Sequence, residues 1–184
     1  TFVNIMFMGW LEPEKGVREL LGSFLSLHAW KDNVKLSILG RGSLENEARQ
    51  FVSINNLNNR VEFFGWVQEK HDIASIMRAQ DIFVLPSWFE GFPNAAIEAM
   101  GAGLSTVLTD VGAVSDFFSN GSEALIIKPR SKIDLTNALK RLSEDKKLRQ
   151  KLGRNGFKRV SNEFAVEPAI NTLITAISKE MSNV

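Results

Sequence analysis

Short apolar runs alternate with longer amphipathic segments along most of the chain, and this alternation constrains the fold more than any other feature. Runs that are apolar at successive positions are typical of parallel strands that helices cover on both faces. Six such runs occur, at 2–8, 34–39, 60–64, 81–86, 105–109 and 123–128. Segments with helical spacing separate them, at 16–30, 43–56, 70–79, 93–102 and 113–119. The pattern predicts an α/β fold, a Rossmann-like, doubly wound and mainly parallel six-stranded sheet with helices on both faces.

The alternation stops near residue 131. Three helical patterns follow without an intervening strand, at 132–145, 146–162 and 165–181, and they predict extra C-terminal helices. A length of 184 residues suits one well-buried domain rather than two.

Composition excludes several classes of function. The net charge is +1, which gives no reason to expect nucleic acid as a partner. The chain has no cysteine, which agrees with a cytoplasmic location and excludes disulfides and thiolate chemistry. His28 and His71 are far apart in sequence and lack clustered acids, so we expect no zinc site. No apolar run approaches the roughly twenty residues that a bilayer crossing needs.

Ligands of open α/β sheets bind beyond the carboxyl ends of the strands. The loops predicted there are Gly9–Gly16, Gly40–Ser43, Gly65–Glu69, Ser87–Pro93 and Thr109–Ala113. In the second of these, Gly40 and Gly42 form a tight turn, and Ser43 is expected to cap the helix that follows. Trp66 and Trp88 lie in such loops, where stacking on a base or sugar and plain packing are both open interpretations.

The segment "SWFEGFPNAAIEAMGAG" carries the most chemistry. Pro93 suits the first turn of a helix, so Gly91 and Phe92 would present backbone amides at a positive helix start that accepts a phosphate. Glu98 lies five residues further, about 7–8 Å along the helix, within reach of a ribose diol. Glu90 lies on the other side of the helix start, where a sugar attached to the phosphate would project. We therefore hypothesise that the carboxylates of Glu90 and Glu98 flank a bound phosphate.

The motifs around this pair resemble those of the retaining glycosyltransferases of family 4, which have the GT-B fold. The resemblance rests on "LPSWFEGFPNAAIEAMGAG" with "TDVGA", on "GWLEPEKGVRELL", and on "ILGRG", "VEFFGWV" and "AQDIFVLPS" in the expected order. It covers practically the whole chain and corresponds to the C-terminal, donor-binding half of a GT-B enzyme. Residues 1–184 are accordingly expected to be a nucleotide-sugar donor-binding domain whose N-terminal acceptor-binding domain is absent.

The resemblance implies roles at matching positions. Glu90 would contact the donor sugar and Lys15 the donor diphosphate, and these two are the expected catalytic residues. Glu98 would hold the ribose. The remaining expected donor-binding residues come from three loops: Gly9, Trp10, Gly65, Trp66, Val67, Gly91, Phe92, Pro93 and Asn94. The resemblance also implies a nucleoside diphosphate sugar as the donor substrate, with no metal or other cofactor.

The chain departs from the family pattern at three positions. The family usually has arginine where this chain has Trp10, proline where it has Ser105, and a second glycine where it has Ala113. Trp10 removes a cation from the diphosphate site, which leaves Lys15 as the matched cation and Arg41 as an unassigned candidate. Trp10 therefore puts catalytic efficiency in question, and packing at a strand end is its alternative role.

The implied function is transfer of a sugar, with retained anomeric configuration, from a nucleoside diphosphate to a hydroxyl of a glycan or lipid-linked acceptor. A sugar-nucleotide epimerase or phosphorylase of the same fold is an alternative, and so is a non-catalytic nucleotide-sugar-binding module. A flavodoxin-like signalling module is rejected because the first strand ends without acidic residues. Seven basic residues in 146–159 allow peripheral contact with the inner face of a membrane, although a solvated helix face explains them too.

Overall fold

A computed structural model describes residues 2–164. The predicted last helix, 165–181, lies outside the described residues. The strands are β1 Val3–Met8, β2 Val34–Leu39, β3 Val61–Gly65, β4 Ile82–Leu85, β5 Ser105–Thr109 and β6 Ala124–Ile127. The helices are α1 Val17–Trp30, α2 Glu45–Ile54, α3 Lys70–Arg78, α4 Asn94–Gly101, α5 Val114–Phe117, α6 Lys132–Glu144 and α7 Lys146–Glu163. A short 3-10 helix, Pro13–Lys15, lies between β1 and α1.

The six strands form one parallel sheet in the order β3-β2-β1-β4-β5-β6. The chain winds outward from β1 to β3, crosses back to β4 and then winds outward to β6. Because such crossovers are right-handed, the two halves place their helices on opposite faces. The predicted doubly wound α/β fold is confirmed.

Burial explains why these runs become interior strands. Every residue of β4 and β5 is buried, as expected of strands that have helices on both faces. On one face α1 packs against α2 and α6, and on the other α4 packs against α7. The core between these layers includes Phe7, Phe24 and Phe83, all fully buried.

The order of the strands also fixes the position of the site. β1 and β4 are neighbours in the sheet. After β1 the chain continues towards β2 on one side, and after β4 it continues towards β5 on the other, so the two loops diverge and leave a crevice. The loops after β1, β4 and β5 meet at this edge of the sheet, and those after β2 and β3 extend it.

Two local expectations are wrong in detail. Pro93 precedes α4 instead of lying in its first turn, because its ψ of 62° is not helical; its carbonyl nevertheless accepts hydrogen bonds from Ala96 and Ile97. Ser43 does not cap α2, because its hydroxyl and its amide both donate to the carboxylate of Glu12.

Candidate functional site

An ion pair lies at the crevice between the loops that follow β1 and β4. Lys15 Nζ is 2.8 Å from Glu90 Oε1, and Ser87 Oγ donates to the same carboxylate oxygen over 2.7 Å. The side chains of Lys15 and Glu90 are 22% and 12% exposed. We call Lys15, Ser87 and Glu90 the ion-pair cluster. It unites the two expected catalytic residues, which are 75 positions apart in sequence.

The loop that carries Lys15 is fixed by direct backbone contact with the loop after β4. Gly16 has a φ of +69°, and a Cβ at this position would overlap the carbonyl oxygen of Pro86. The amide of Trp88 donates to the carbonyl of Glu14 over 2.7 Å. Because only glycine fits position 16, Lys15 is held at the end of β4 by the fold itself.

Glu90 is supported from the other side by the loop after β5. Gly112 has a φ of +55°, and a Cβ at this position would overlap the carbonyl oxygen of Glu90. Thr109 Oγ1 donates to the carbonyl of Ser87 over 2.6 Å. Three loops thus determine the position of one carboxylate.

A cavity of about 870 Å³ lies between α3, α4 and the ends of β1, β2 and β3, and none of the three cluster residues lines it. Five of the expected donor-binding residues line it, namely Gly9, Trp10, Trp66, Val67 and Glu98. Gly65 immediately precedes Trp66 and has a φ of +67°. Glu98 is exposed, and its carboxylate makes no hydrogen bond or ion pair with any residue from 2 to 164. A carboxylate in that state is available to accept two hydroxyl groups.

Trp10 and Trp66 stack on each other at the mouth of this cavity. Their ring centroids are 5.6 Å apart with an interplanar angle of 29°, and the residues are 57% and 59% exposed. We call them the tryptophan pair. The ring of Trp10 therefore lies on the side of the β3 loop, whereas the family arginine at this position would serve the diphosphate.

The segment Gly91–Asn94 offers fewer free amides than the sequence implies. The amide of Asn94 donates to the carbonyl of Phe92, and Pro93 has no N–H. Among the described residues, the amides of Gly91 and Phe92 have no acceptor. The ring of Phe92 contacts Phe117 and Phe164 at centroid distances of 5.4 and 5.9 Å, so the side chain of this residue takes part in packing.

Two other candidates have structural surroundings. The indole N–H of Trp88 donates to Glu19 over 3.1 Å, and the guanidinium of Arg130 lies 4.4 Å from its ring centroid. Arg41 is exposed, with Nε close to Gly65, and lies outside the cavity lining. No group of three or more His, Cys, Asp or Glu within residues 2–164 is arranged to hold a metal ion.

Sequence reasoning missed Ser87, Gly112 and Glu12 as parts of the site. Ser87 and Gly112 lie inside motifs quoted for the resemblance, so the motifs contained the signal although no role pointed to them. Glu12 is different: hydrogen bonds from the hydroxyl and amide of Ser43 hold the pKa of its carboxyl below the ordinary value of 4.5. No sequence signal predicts that contact, which joins the loop after β1 to the start of α2.

Comparison with known proteins agrees with the fold and identifies the family. The family described as "Glycosyl transferases group 1" matches residues 3–159. The chain is 29% identical over 163 residues to the capsular polysaccharide biosynthesis glycosyltransferase CapM of Staphylococcus aureus, covering 88% of this chain and 42% of CapM. It is 34% identical over 142 residues to the N,N'-diacetylbacillosaminyl-diphospho-undecaprenol alpha-1,3-N-acetylgalactosaminyltransferase of Campylobacter jejuni, covering 77% of this chain and 35% of that enzyme.

A solved structure corresponds to nearly the same extent of chain. It is the C-terminal domain of a glycosyl transferase group 1 family protein from Francisella tularensis, with a TM-score of 0.83, 25% identity, and coverage of 89% of this chain and 87% of that one. The fold is therefore that of a GT-B C-terminal domain. The chain spans less than half the length of the two curated relatives just described. With most of its length matched by the family, this chain belongs to the group 1 glycosyl transferases.

Proposed function

We propose that the chain is the donor-binding half of a retaining, family 4 type glycosyltransferase. It would bind a nucleoside diphosphate sugar, and the complete enzyme would transfer the sugar to a hydroxyl of a glycan or lipid-linked acceptor. The observation that carries this proposal is the meeting of Lys15, Ser87 and Glu90 at the carboxyl edge of the sheet, where a cavity is lined by the unpaired Glu98.

Each group has a chemical role in this proposal. The Lys15 ammonium and the free amides of Gly91 and Phe92 receive the diphosphate, and the Glu98 carboxylate accepts hydrogen bonds from the ribose hydroxyls. Glu90 orients the transferred sugar. The bond between the anomeric carbon and the phosphate oxygen breaks while a bond to the acceptor oxygen forms. Negative charge grows on the leaving diphosphate, so Lys15 stabilises the transition state more than the ground state.

The ammonium and the amides supply the positive charge for this step, and we therefore expect no divalent metal in the diphosphate site. The proton of the acceptor hydroxyl goes to an oxygen of the departing diphosphate, so no residue of this chain is assigned as its base. In the described state Lys15 already neutralises Glu90, so the diphosphate must share or take over that ammonium when it binds.

The experiment that tests donor binding is titration calorimetry of the 184-residue chain with UDP, GDP and ADP and their glucose conjugates. We expect one nucleoside diphosphate to bind with a free energy of roughly −4 to −8 kcal/mol. Glu98→Ala should weaken it by about 1–3 kcal/mol, because charged hydrogen bonds to the ribose are lost. Glu144→Ala, which removes an exposed carboxylate at the end of α6, is the matched control. Equal affinity in the Glu98 variant and the parent would remove the ribose assignment.

A non-catalytic nucleotide-sugar-binding module is the second candidate, because Trp10 replaces the family cation. Transfer by the full-length protein with Trp10→Arg separates the two. A large gain in rate would indicate that the site has lost a catalytic group, whereas a loss would indicate a site adapted to tryptophan.

We also propose a cytoplasmic location, with peripheral contact at the inner face of the membrane. Four exposed basic residues of α7 have helical spacing that aligns them in one stripe, Lys147, Lys151, Arg154 and Lys158. None of the four forms an ion pair with a described residue. By its name, the similar Campylobacter enzyme acts on a diphospho-undecaprenol acceptor. Within the described residues, no helix is long and apolar enough to span a bilayer.

Sedimentation with phosphatidylcholine vesicles that contain phosphatidylglycerol tests this placement. Attraction to an anionic surface is about 1 kcal/mol per basic residue, so Lys147→Glu with Lys151→Glu should reduce binding at least tenfold. Lys35→Glu with Lys128→Glu changes the net charge equally at exposed positions outside α7. An equal loss in both pairs would show a general charge effect and contradict the stripe.

A further inference from the structure

The tryptophan pair is the largest aromatic surface that the cavity presents to solvent. Trp10 and Trp66 are each more than half exposed, although tryptophan gains more from burial than almost any other side chain. They line a cavity whose other lining side chains are mainly apolar and include Glu98. A pair of rings left open in this way offers flat faces to a ligand.

Gly40 explains how rings from β1 and β3 meet although β2 separates these strands. Its φ is +130°, and a Cβ here would overlap the carbonyl oxygen of Gly9. Its amide donates to the carbonyl of Gly65 over 2.7 Å. Gly9 and Gly65 each immediately precede one of the two tryptophans. A side chain at position 40 would separate the two loops, so the pair is built by the backbone at three strand ends.

The position of the pair determines which part of a nucleotide it meets. The ion-pair cluster marks the diphosphate side, and Trp10 contributes no charge there. Its ring instead faces Trp66, in the loop after β3, on the same cavity as Glu98. A ligand whose ribose is bound by Glu98 has two ends, and the end away from the diphosphate is a planar base.

We propose that Trp10 is a specificity-determining residue which, together with Trp66, forms a two-ring stacking surface for the nucleobase, so that base contact replaces part of the phosphate contact that the family arginine would supply. This inference rests on the proposed donor-binding function. Stacking on aromatic side chains holds bases through their π-faces. Such a site binds the base end strongly and uses a single lysine for the phosphates.

Two measurements on the 184-residue chain test the inference. The first is the NMR signal of the indole N–H groups, since the chain has four tryptophans and therefore four such signals. Uridine, guanosine and adenosine are titrated separately. We expect the preferred nucleoside to shift the signals of Trp10 and Trp66 through its ring current. The signal of Trp30, which is 47% exposed at the end of α1, is the internal control.

The second measurement is calorimetry of Trp10→Leu and Trp10→Phe with the preferred nucleoside diphosphate and with inorganic pyrophosphate. Trp10→Leu should weaken the nucleoside diphosphate by roughly fivefold to a hundredfold, the range expected for one stacked base. The affinity for pyrophosphate should not change, and Trp10→Phe should restore part of the loss. Trp30→Leu is the matched control. Because Trp10 is exposed, we expect its variants to stay folded, and a loss of affinity then reports the lost contact.

The outcomes separate this inference from the proposed function. If the parent chain binds a nucleoside diphosphate and loses it on Glu98→Ala, but Trp10→Leu changes nothing or weakens pyrophosphate equally, the base-stacking role of Trp10 is overturned and donor binding stands. If the parent chain binds none of the nucleotides, both proposals are wrong.

Discussion

The ion-pair cluster and the tryptophan pair lie at the same edge of the sheet, yet they differ in exposure and in how their side chains are paired. Lys15 and Glu90 are largely buried and bound to each other, and glycines that contact neighbouring backbone hold their loops. Trp10 and Trp66 are exposed, and the nearby Glu98 has no partner among the described residues. The side chains of the first region are paired within the fold, whereas those of the second leave surface that we propose a ligand covers.

This difference has a consequence for mutations. Changes around the ion-pair cluster should alter stability and affinity together, because the same contacts fix the loops and the charged groups. Changes at the tryptophan pair or Glu98 should alter affinity alone, because these side chains make few contacts that the folded chain depends on.

The largest effect is expected from Gly16→Ala. The substitution combines a positive φ with overlap between the new Cβ and the carbonyl oxygen of Pro86, so the loop after β1 must move. We expect a loss of about 3 kcal/mol in the free energy of unfolding, measured by urea denaturation. Nucleoside diphosphate binding should weaken as well, since Lys15 moves with the loop.

Gly121→Ala is the matched control for this prediction. Gly121 has a φ of +77°, but a Cβ there would meet no heavy atom within 4 Å. Its cost should be the conformational one alone, about 1 kcal/mol. If the two variants are equally stable, close backbone contact does not fix the loop of Lys15 and the comparison fails.

The two regions also differ in how far the sequence predicts them. The apolar runs determine the sheet, because strands such as β4 and β5 are buried on both faces, and the predicted ends agree within one or two residues. β1 and β4 are adjacent at the point where the winding reverses. The topology therefore predicts that the residues which follow these two strands lie close together. The proximity of Lys15 to Glu90 follows from that topology and from the motifs.

The pairing of Trp10 with Trp66 does not follow in the same way. β2 lies between β1 and β3, and their contact depends on the φ of Gly40 and on the directions of two loop side chains. The bond between Ser43 and Glu12 likewise depends on a loop conformation that competes with helix capping. Periodicity reports which face of an element is buried and contains no information on these loop contacts.

The next effect concerns the charges of the ion-pair cluster. Lys15→Ala should weaken nucleoside diphosphate binding by about 2 kcal/mol, because it removes the ammonium and leaves the Glu90 carboxylate near the diphosphate. Calorimetry at low and high salt measures it, and the loss should be greater at low salt.

Glu90→Gln sharpens the same comparison because it releases Lys15 without removing it. Affinity for the bare nucleoside diphosphate should stay the same or rise, while discrimination in favour of the sugar conjugate should fall. Unchanged affinity for the nucleoside diphosphate in Lys15→Ala would show that the ammonium serves only the ion pair, and an unchanged preference for the sugar conjugate in Glu90→Gln would contradict the role of Glu90.

The smallest effect is expected at Glu12, which joins the outer end of the β1 loop to the start of α2. Its pKa in the folded chain is below the ordinary value because the hydroxyl and amide of Ser43 donate to the charged form. The stability that this carboxylate contributes is therefore complete above the ordinary value of 4.5 and is lost as the pH falls through the lowered folded value.

Glu12→Gln should unfold slightly more easily than the parent near neutral pH, and the difference should vanish in acid. Glu14→Gln, which changes an exposed carboxylate in the same loop, is the matched control. A parent–variant difference that persists unchanged below the lowered pKa would mean that the charge of Glu12 does not stabilise the loop, and that the cluster side of the crevice is held by its glycine contacts alone.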